Sequence, residues 1–485
     1  MSLLPTRART PQEPLAATSM TTATRERGPA PAAESPPPQV PGRAPDRGRR
    51  LAWLDALRGM AALCVVYAHF GTRVLPQVHR AVYNVFDPGL YGVLVFFLVS
   101  GYIVPASLER KGSIRNFWIS RLFRLFPLFV FAIAAVLLLH QFGLASVRDT
   151  NRNVTASVLS HLFMLNELLG QTNIIVVLWT LSYEMVFYVL LTALFTAGLH
   201  KRSGYYAAGF AAAALLLGGL LPTVWLSNSS LGLTPVAVTG DVLIIGGLAA
   251  AVAARGLPRA AGAWLAAATV LILVAVNGRK GSYEGLTILA LMFTGTLLYR
   301  AEQGQISRRR AVAVATGIFT ATMVAGAWHI PATSPQSQVA LLQREWVMSV
   351  ALAGLTFAVG MALRNLTVPS VLAWLGLVSY SAYLLHPLLL DFSDRIPFMN
   401  SRHPVAVQVA LAVGFLVVLL ACCALTYYLV EAPMQRLGRR VAAQLDARFG
   451  PDRLHARRPL RLRLAVGREP PLPHGGGPTV STTPG

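Results

Sequence analysis

The sequence predicts an all-α fold, a polytopic membrane helix bundle of about 10–12 transmembrane helices with both termini on the cytoplasmic side. Three observations predict it. Charged residues make up 13% of the chain, where a soluble domain carries about 25%. The deficit is concentrated between Leu51 and Glu431, where apolar runs of spanning length recur. Basic residues gather in the tails and short connections, as the positive-inside rule requires. A helix needs roughly 20 apolar residues to cross a bilayer, and lipid cannot satisfy loose backbone polar groups, so spans are helices or closed barrels. These runs are rich in Leu, Ala and Val without ten-residue alternation, which points away from a barrel.

Taken in order, residues 1–50 are rich in Pro, Ala and Arg and read as a disordered tail. Arg49-Arg50 before an apolar run raises a signal peptide, but Asp55 and Arg58 interrupt that run and no small-residue cleavage site follows. The run is therefore read as a retained first helix. Candidate spans are 51–70, 89–108, 125–143, 174–197, 204–226, 235–254, 260–276, 286–300, 311–330, 345–363, 371–391 and 404–430. The seventh and eighth are short, so re-entrant or merged segments are an alternative there. With the N-terminus inside, the inside connections carry 14 Lys and Arg against nine outside. The domain plan is thus a tail at 1–50, a membrane domain at 51–436 and a basic, Pro-rich tail at 437–485.

The net charge of +22 raises nucleic acid as a partner. The chain has 39 Arg but 3 Lys, its charge lies in tails and loops, and no nucleic-acid-binding signature is present, so none is expected. The Arg bias with Ala, Gly and Pro usage suggests a high-GC bacterial genome. Cys64, Cys422 and Cys423 lie inside apolar spans and imply neither a disulfide framework nor a metal site.

Ionisable groups inside a membrane are costly and mark functional candidates. In "RLAWLDALRGMAALCVVYAHF", Arg58 and His69 are eleven residues apart, close to three helical turns, so they share a face roughly 16 Å apart. His69 suits a general base; the alternative is an Asp55–Arg58 interfacial pair with a carbonyl-capped histidine. In "FFLVSGYIVP", Ser100-Gly101 permits close backbone approach or plain helix packing. Arg121 and Arg124 share a face, either as a clamp for a phosphorylated donor or as a membrane-surface anchor. Glu184 in "LWTLSYEMVFYVLL" is a lone carboxylate with no basic residue on its own helix, so its expected partner is His69 or an arginine. Ser379, Tyr383 and His386 fall on one face of a helix, a second polar stripe or a packing seam. Glu431 and Pro433 mark the inner end of the last span.

Together these segments resemble the acyltransferase 3 family of bacterial integral membrane O-acyltransferases. The resemblance rests on Arg58 and His69 with ten residues between them, FF-x-x-SG at Phe96 to Gly101, and R-x-x-R at Arg121 and Arg124. W-x-L-S-x-E runs from Trp179 to Glu184, SYS-x-YLxH from Ser379 to His386, and E-x-P is Glu431 to Pro433. It covers roughly 51–436, with 204–363 alike in hydropathy alone. Many members carry a second acidic residue where this chain has Met185, and some carry a C-terminal esterase-like domain, for which the last 50 or so residues are too short.

The resemblance implies O-acyl transfer from acyl-CoA, acetyl-CoA being the family's usual donor, with no bound cofactor and no metal. The implied acceptor is a hydroxyl of a glycan, a lipid-linked glycan or a glycosylated small molecule, and the implied location is the bacterial cytoplasmic membrane. It assigns His69, Glu184 and His386 to catalysis, and Arg58, Arg121, Arg124, Ser100 and Tyr383 to donor or substrate binding. His69 would be the base or would pass the acyl group onward, Glu184 its orienting or charge-stabilising carboxylate, and His386 with Tyr383 oxyanion donors. The competing class is a secondary transporter or flippase that uses intramembrane His, Glu and Arg as a proton relay.

Overall fold

The computed structural model describes residues 52–147, 154–396 and 403–452. The tail expected at 1–50 and the chain beyond 452 lie outside the described residues. Every described element is helical. In order they are α1 (Ala52–Val74), α2 (Pro76–Tyr83), α3 (Pro88–Lys111), α4 (Ile114–Gln141), α5 (Val154–Leu162) and α6 (Trp179–Thr196), the last led by a 3-10 turn at Val176–Leu178. Next come α7 (Ser203–Leu217), α8 (Trp225–Asn228), α9 (Leu233–Ala253), α10 (Leu257–Val276), α11 (Ser282–Glu302), α12 (Arg308–Thr333) and α13 (Val339–Ala362). The series closes with α14 (Ser370–Leu377), α15 (Ser379–Ser393), α16 (Val405–Thr426), a π turn at Tyr427–Glu431 and α17 (Ala432–Phe449).

Each of the twelve expected spans contains a helix. Among the described residues, eight helices are long and apolar enough to cross a membrane, and the bent pair α14–α15 makes a ninth, fewer than the 10–12 expected. The difference has physical causes. Helix α7 has 15 residues and is short. Helix α1 carries Asp55, Arg58 and Arg73, and α11 carries Glu284, Arg300 and Glu302. Helix α11 is buried along nearly its whole length, so its surroundings are protein and its polar groups find partners there. The seventh and eighth segments are neither short nor merged: α10 has 20 residues and α11 has 21. The broken element is instead α14–α15, bent by 65°.

Local chemistry sets the helix ends. Asp87 caps α3, its carboxylate accepting from the Gly89 (2.7 Å) and Leu90 (3.1 Å) N–H groups, with Pro88 in the first turn. The same helix stops at Gly112, whose φ of 61° few other residues tolerate. Ser113 then caps α4 through the Asn116 N–H at 3.1 Å.

Small residues let the backbones touch. A side chain at Gly92 would lie 2.5 Å from the Ala61 carbonyl of α1, and one at Gly101 would collide with the Met292 carbonyl of α11. At the α14–α15 break, Gly376 seats against the backbone of Asp55, and the Ser379 hydroxyl donates to the Gly376 carbonyl at 2.8 Å. The boundary expected at 436 falls inside α17, which packs along α4 through Gly438 on Phe123 and Arg115 on Asp446 (2.5 Å). This end of the bundle, which also carries Arg110, Lys111 and Arg255, is called the basic end below.

Candidate active site

A cavity of about 560 Å³ opens between α1, α3, α4, α6 and α15. Towards the basic end it is lined by Arg58 of α1, Arg124 of α4 and Ser100 of α3. Glu184 of α6 faces it from one side. Val93, Phe96, Phe97, Leu125 and Leu181 form an apolar wall. Thr180 and Tyr383 close the opposite end, their hydroxyls 2.7 Å apart, and the Tyr383 hydroxyl also donates to the Val177 carbonyl at 3.0 Å. Five of the eight residues singled out in the sequence therefore share one chamber: Arg58, Ser100, Arg124, Glu184 and Tyr383.

Neither arginine of this chamber closes an ion pair or a hydrogen bond among the described residues. The Asp55–Arg58 pair, the alternative reading of this helix, does not form among the described residues. Arg58 lies in the field of Asp55, Glu184, Tyr188 and the like-charged Arg124, and Glu431 lies in the field of both arginines. Two guanidinium forks without direct partners, turned toward a cavity, suit an anion held by charge-assisted hydrogen bonds.

Arg121 behaves differently. It is 7% exposed and lies between the rings of Phe117 (5.5 Å) and Tyr188 (5.4 Å), outside the cavity lining. The Tyr188 hydroxyl in turn donates to Glu184. The direct partner of Glu184 is thus a tyrosine one turn along its own helix, rather than a histidine or an arginine, and Arg121 supports that tyrosine from behind.

The two histidines meet just beyond the Tyr383 end. His69 Nδ1 lies 3.4 Å from His386 Nε2, with ring centroids 5.1 Å apart. His386 Nδ1 is 2.9 Å from the Ala382 carbonyl, and His69 Nδ1 is 3.0 Å from the Val65 carbonyl. A carbonyl only accepts, so each Nδ1 carries a proton. In the neutral pair, His386 Nε2 then holds a lone pair facing His69 Nδ1–H, and His69 Nε2 is left with a lone pair of its own. That assignment differs from the expected oxyanion roles. Neutral His386 has no free N–H to give, and the Tyr383 proton is committed to Val177 or Thr180.

The sequence reading missed three cavity neighbours. Thr180 and Tyr380 line the chamber, the latter anchored to the Leu125 carbonyl at 2.9 Å, and both stand inside motifs already quoted. Glu431, read as a helix end, is 3% exposed and accepts from Ser381. The π turn that carries it is a feature frequent at functional sites, and its only sequence signal was the acid before Pro433. Away from the cavity, Asp241 of α9 is 2% exposed, and neither carboxyl oxygen has a hydrogen bond among the described residues. A lone acid in a 21-residue apolar helix was the signal for it.

A family model described as an acyltransferase domain matches residues 51–428. The chain is 32% identical over 154 residues to the acyltransferase MdmB of Streptomyces mycarofaciens, which covers 30% of this chain and 39% of that protein. It is 27% identical over 167 residues to the O-acetyltransferase OatA of Staphylococcus aureus, covering 32% of this chain and 26% of that protein. A third relative, the putative acetyltransferase ORF330 of Acidianus two-tailed virus, is 26% identical over 137 residues, or 28% of this chain and 38% of that one. The matched stretches thus span less than half the length of these curated relatives. No solved structure matches.

Proposed function

From the premise that the chain belongs to the acyltransferase 3 family, we propose that it is a multi-pass O-acyltransferase of the bacterial cytoplasmic membrane. Its donor is acyl-CoA, with acetyl the simplest group carried, and its acceptor is a hydroxyl of a glycan or glycosylated metabolite. The observation that carries this reading is a distance. Arg58 and His69 are eleven residues apart on one helix, roughly 16 Å along its axis. About thirteen bonds join the nearer phosphorus of coenzyme A to its sulfur, and at an extended advance of about 3.4 Å per three bonds that arm reaches ~15 Å. A diphosphate at Arg58 and Arg124 therefore brings the thioester to the level of His69. The chamber between supplies apolar wall for the arm, while the bulky nucleotide stays at the basic end.

The chemistry follows from the tautomers. His69 Nε2 takes the proton of the acceptor hydroxyl as its oxygen attacks the thioester carbon. The carbon–sulfur bond breaks, the thiolate takes that proton back from the imidazolium, and the products are an O-ester and free coenzyme A. His386 acts as a positioning residue, because its Nε2 accepts from His69 Nδ1–H and that bond strengthens when His69 becomes cationic. Glu184 is the local counter-charge to Arg58. The test uses membranes containing the full chain and [14C]acetyl-CoA. Covalent label on an acceptor, lost in His69→Ala, supports the proposal; a solute that crosses unmodified with no label transferred refutes it.

A further inference from the structure

A second cavity, of about 330 Å³, is lined on α15 by Pro387, Leu388 and Asp391, the residues that follow His386 along that helix. Three of the five elements that bound the donor chamber also bound this one. Helix α4 contributes Arg124 and Leu125 to the first cavity and Val136 to the second. The α6 region contributes Thr180, Leu181 and Glu184 to the first and Ile174 to Val176, just before it, to the second. Helix α15 contributes Tyr380 and Tyr383 to the first and Pro387, Leu388 and Asp391 to the second. Along α15, His386 falls between Tyr383 of the first lining and Pro387 of the second, and its ring is the one in contact with His69. What separates them is the hydrogen-bonded layer of Tyr383, Thr180 and Val177.

We infer that this second cavity is the acceptor subsite, and that it takes a hydroxylated ring such as a sugar from the end opposite the donor. The inference rests on the acyl-transfer reading above. Its lining has the two chemistries that a pyranose presents. Ile174, Ile175, Val176 and Pro387 make an apolar wall for the C–H face of the ring. Asp391 supplies the polar side. One of its carboxylate oxygens accepts from the Ser146 hydroxyl at 3.1 Å, and the other has no donor among the described residues, leaving lone pairs for ring hydroxyls. Arg73, whose field includes Asp391, is held in a bidentate pair with Asp394 (2.6 and 2.8 Å), so Asp391 is not consumed by it. A ring hydroxyl directed past Pro387 reaches the His69–His386 pair from this side as the thioester reaches it from the other. One proton then passes from the hydroxyl through His69 to the leaving sulfur, and no further reactant is required.

The experiment uses sealed vesicles containing the full chain, a membrane-impermeant maleimide and the wild-type chain as the control for native cysteines. Ser100→Cys is expected to label from the side that receives acetyl-CoA and to be protected by acetyl-CoA. Ile174→Cys is expected to label from the opposite side, unprotected. Labelling of both from one side overturns the inference. In parallel, the acceptor is defined as whatever takes up label from [14C]acetyl-CoA in wild-type but not His69→Ala membranes. Ile174→Trp, which fills the cavity, and Asp391→Asn are each expected to lower that transfer at least tenfold with the KM for acetyl-CoA within twofold of wild type. A thermal melt and a yield close to wild type for both variants show that the segment folds. If acetyl-CoA protects Ser100→Cys yet Ile174→Trp and Asp391→Asn transfer normally, the acceptor subsite is refuted and the donor reading stands. If wild-type membranes transfer no label and acetyl-CoA does not protect Ser100→Cys, the donor reading fails, and this one with it.

Discussion

Replacing His386 separates a positioning role from a catalytic one. His386 is fully buried, and its contact with His69 is long, 3.4 Å. In the ground state the bond is therefore weak. As His69 takes a proton, the same N–H becomes a charged donor, and hydrogen bonds to charged groups contribute about 1.5–3 kcal/mol. Each ~1.4 kcal/mol is a factor of ten in rate, so His386→Phe, which keeps the ring volume, is expected to lower kcat about 10- to 150-fold. An interaction made only in the transition state leaves donor binding alone, so the KM for acetyl-CoA stays within twofold. His69→Ala loses the base itself and falls about 10²–10⁴-fold. The decisive assay is the double variant, with transfer of [14C]acetyl measured in membranes after a thermal melt shows that each chain is folded. Because His386 acts through His69, His386→Phe costs little further rate once His69 is alanine. Full additivity, or a loss confined to donor KM, refutes the tautomer argument.

Four other outcomes follow from the same geometry. Arg124→Ala removes one of two unpaired guanidinium groups and is expected to weaken acetyl-CoA binding about 10- to 100-fold, read by isothermal titration in detergent. Gly101→Val forces a side chain into the Met292 carbonyl and is expected to lower Tm and yield, at a cost of at least about 2 kcal/mol, with Gly101→Ala intermediate. Asp241→Leu removes a buried carboxyl without a hydrogen bond, and is expected to raise Tm by the equivalent of about 1–3 kcal/mol; a fall in Tm argues against an unpartnered acid. Glu167, buried in the loop before α6, accepts the Lys280 N–H at 2.7 Å; Glu167→Ala leaves that donor without its acceptor and is expected to cost about 1–3 kcal/mol in a denaturation series.

How much of this was legible in the sequence depends on whether the information was local. The face shared by Arg58 and His69 follows from helical spacing, and both sit as that spacing requires. Which of them lines the chamber does not follow, because the wall between them comes from Tyr383 and Thr180 on other helices. Arg121 and Arg124 show the limit of a shared face. Three residues leave about 60° between side chains, enough to put one guanidinium in the cavity and the other between two rings. Arg300, the last residue of the expected span 286–300, is 1% exposed and bound to Glu109, Gln305 and the His200 carbonyl. Its burial depends on α3 and the turn before α7, which no pattern within α11 discloses. The α14–α15 break was equally hidden, since the run there stays apolar and the bend is made by Gly376 meeting α1.

The π turn at Tyr427–Glu431 is a phase shifter. Above it, α16 presents most of its surface outward; below it, α17 must turn Gly438 onto Phe123 and Asp446 onto Arg115. One extra residue in the turn rotates everything after it by about 100° relative to an unbroken α-helix. Deleting a residue there would restore regular hydrogen bonding and relieve a local defect. It would also swing α17 off α4 and carry Glu431 away from Ser381. A locally better helix would thus be a worse protein, because the irregularity keeps two distant contacts in step.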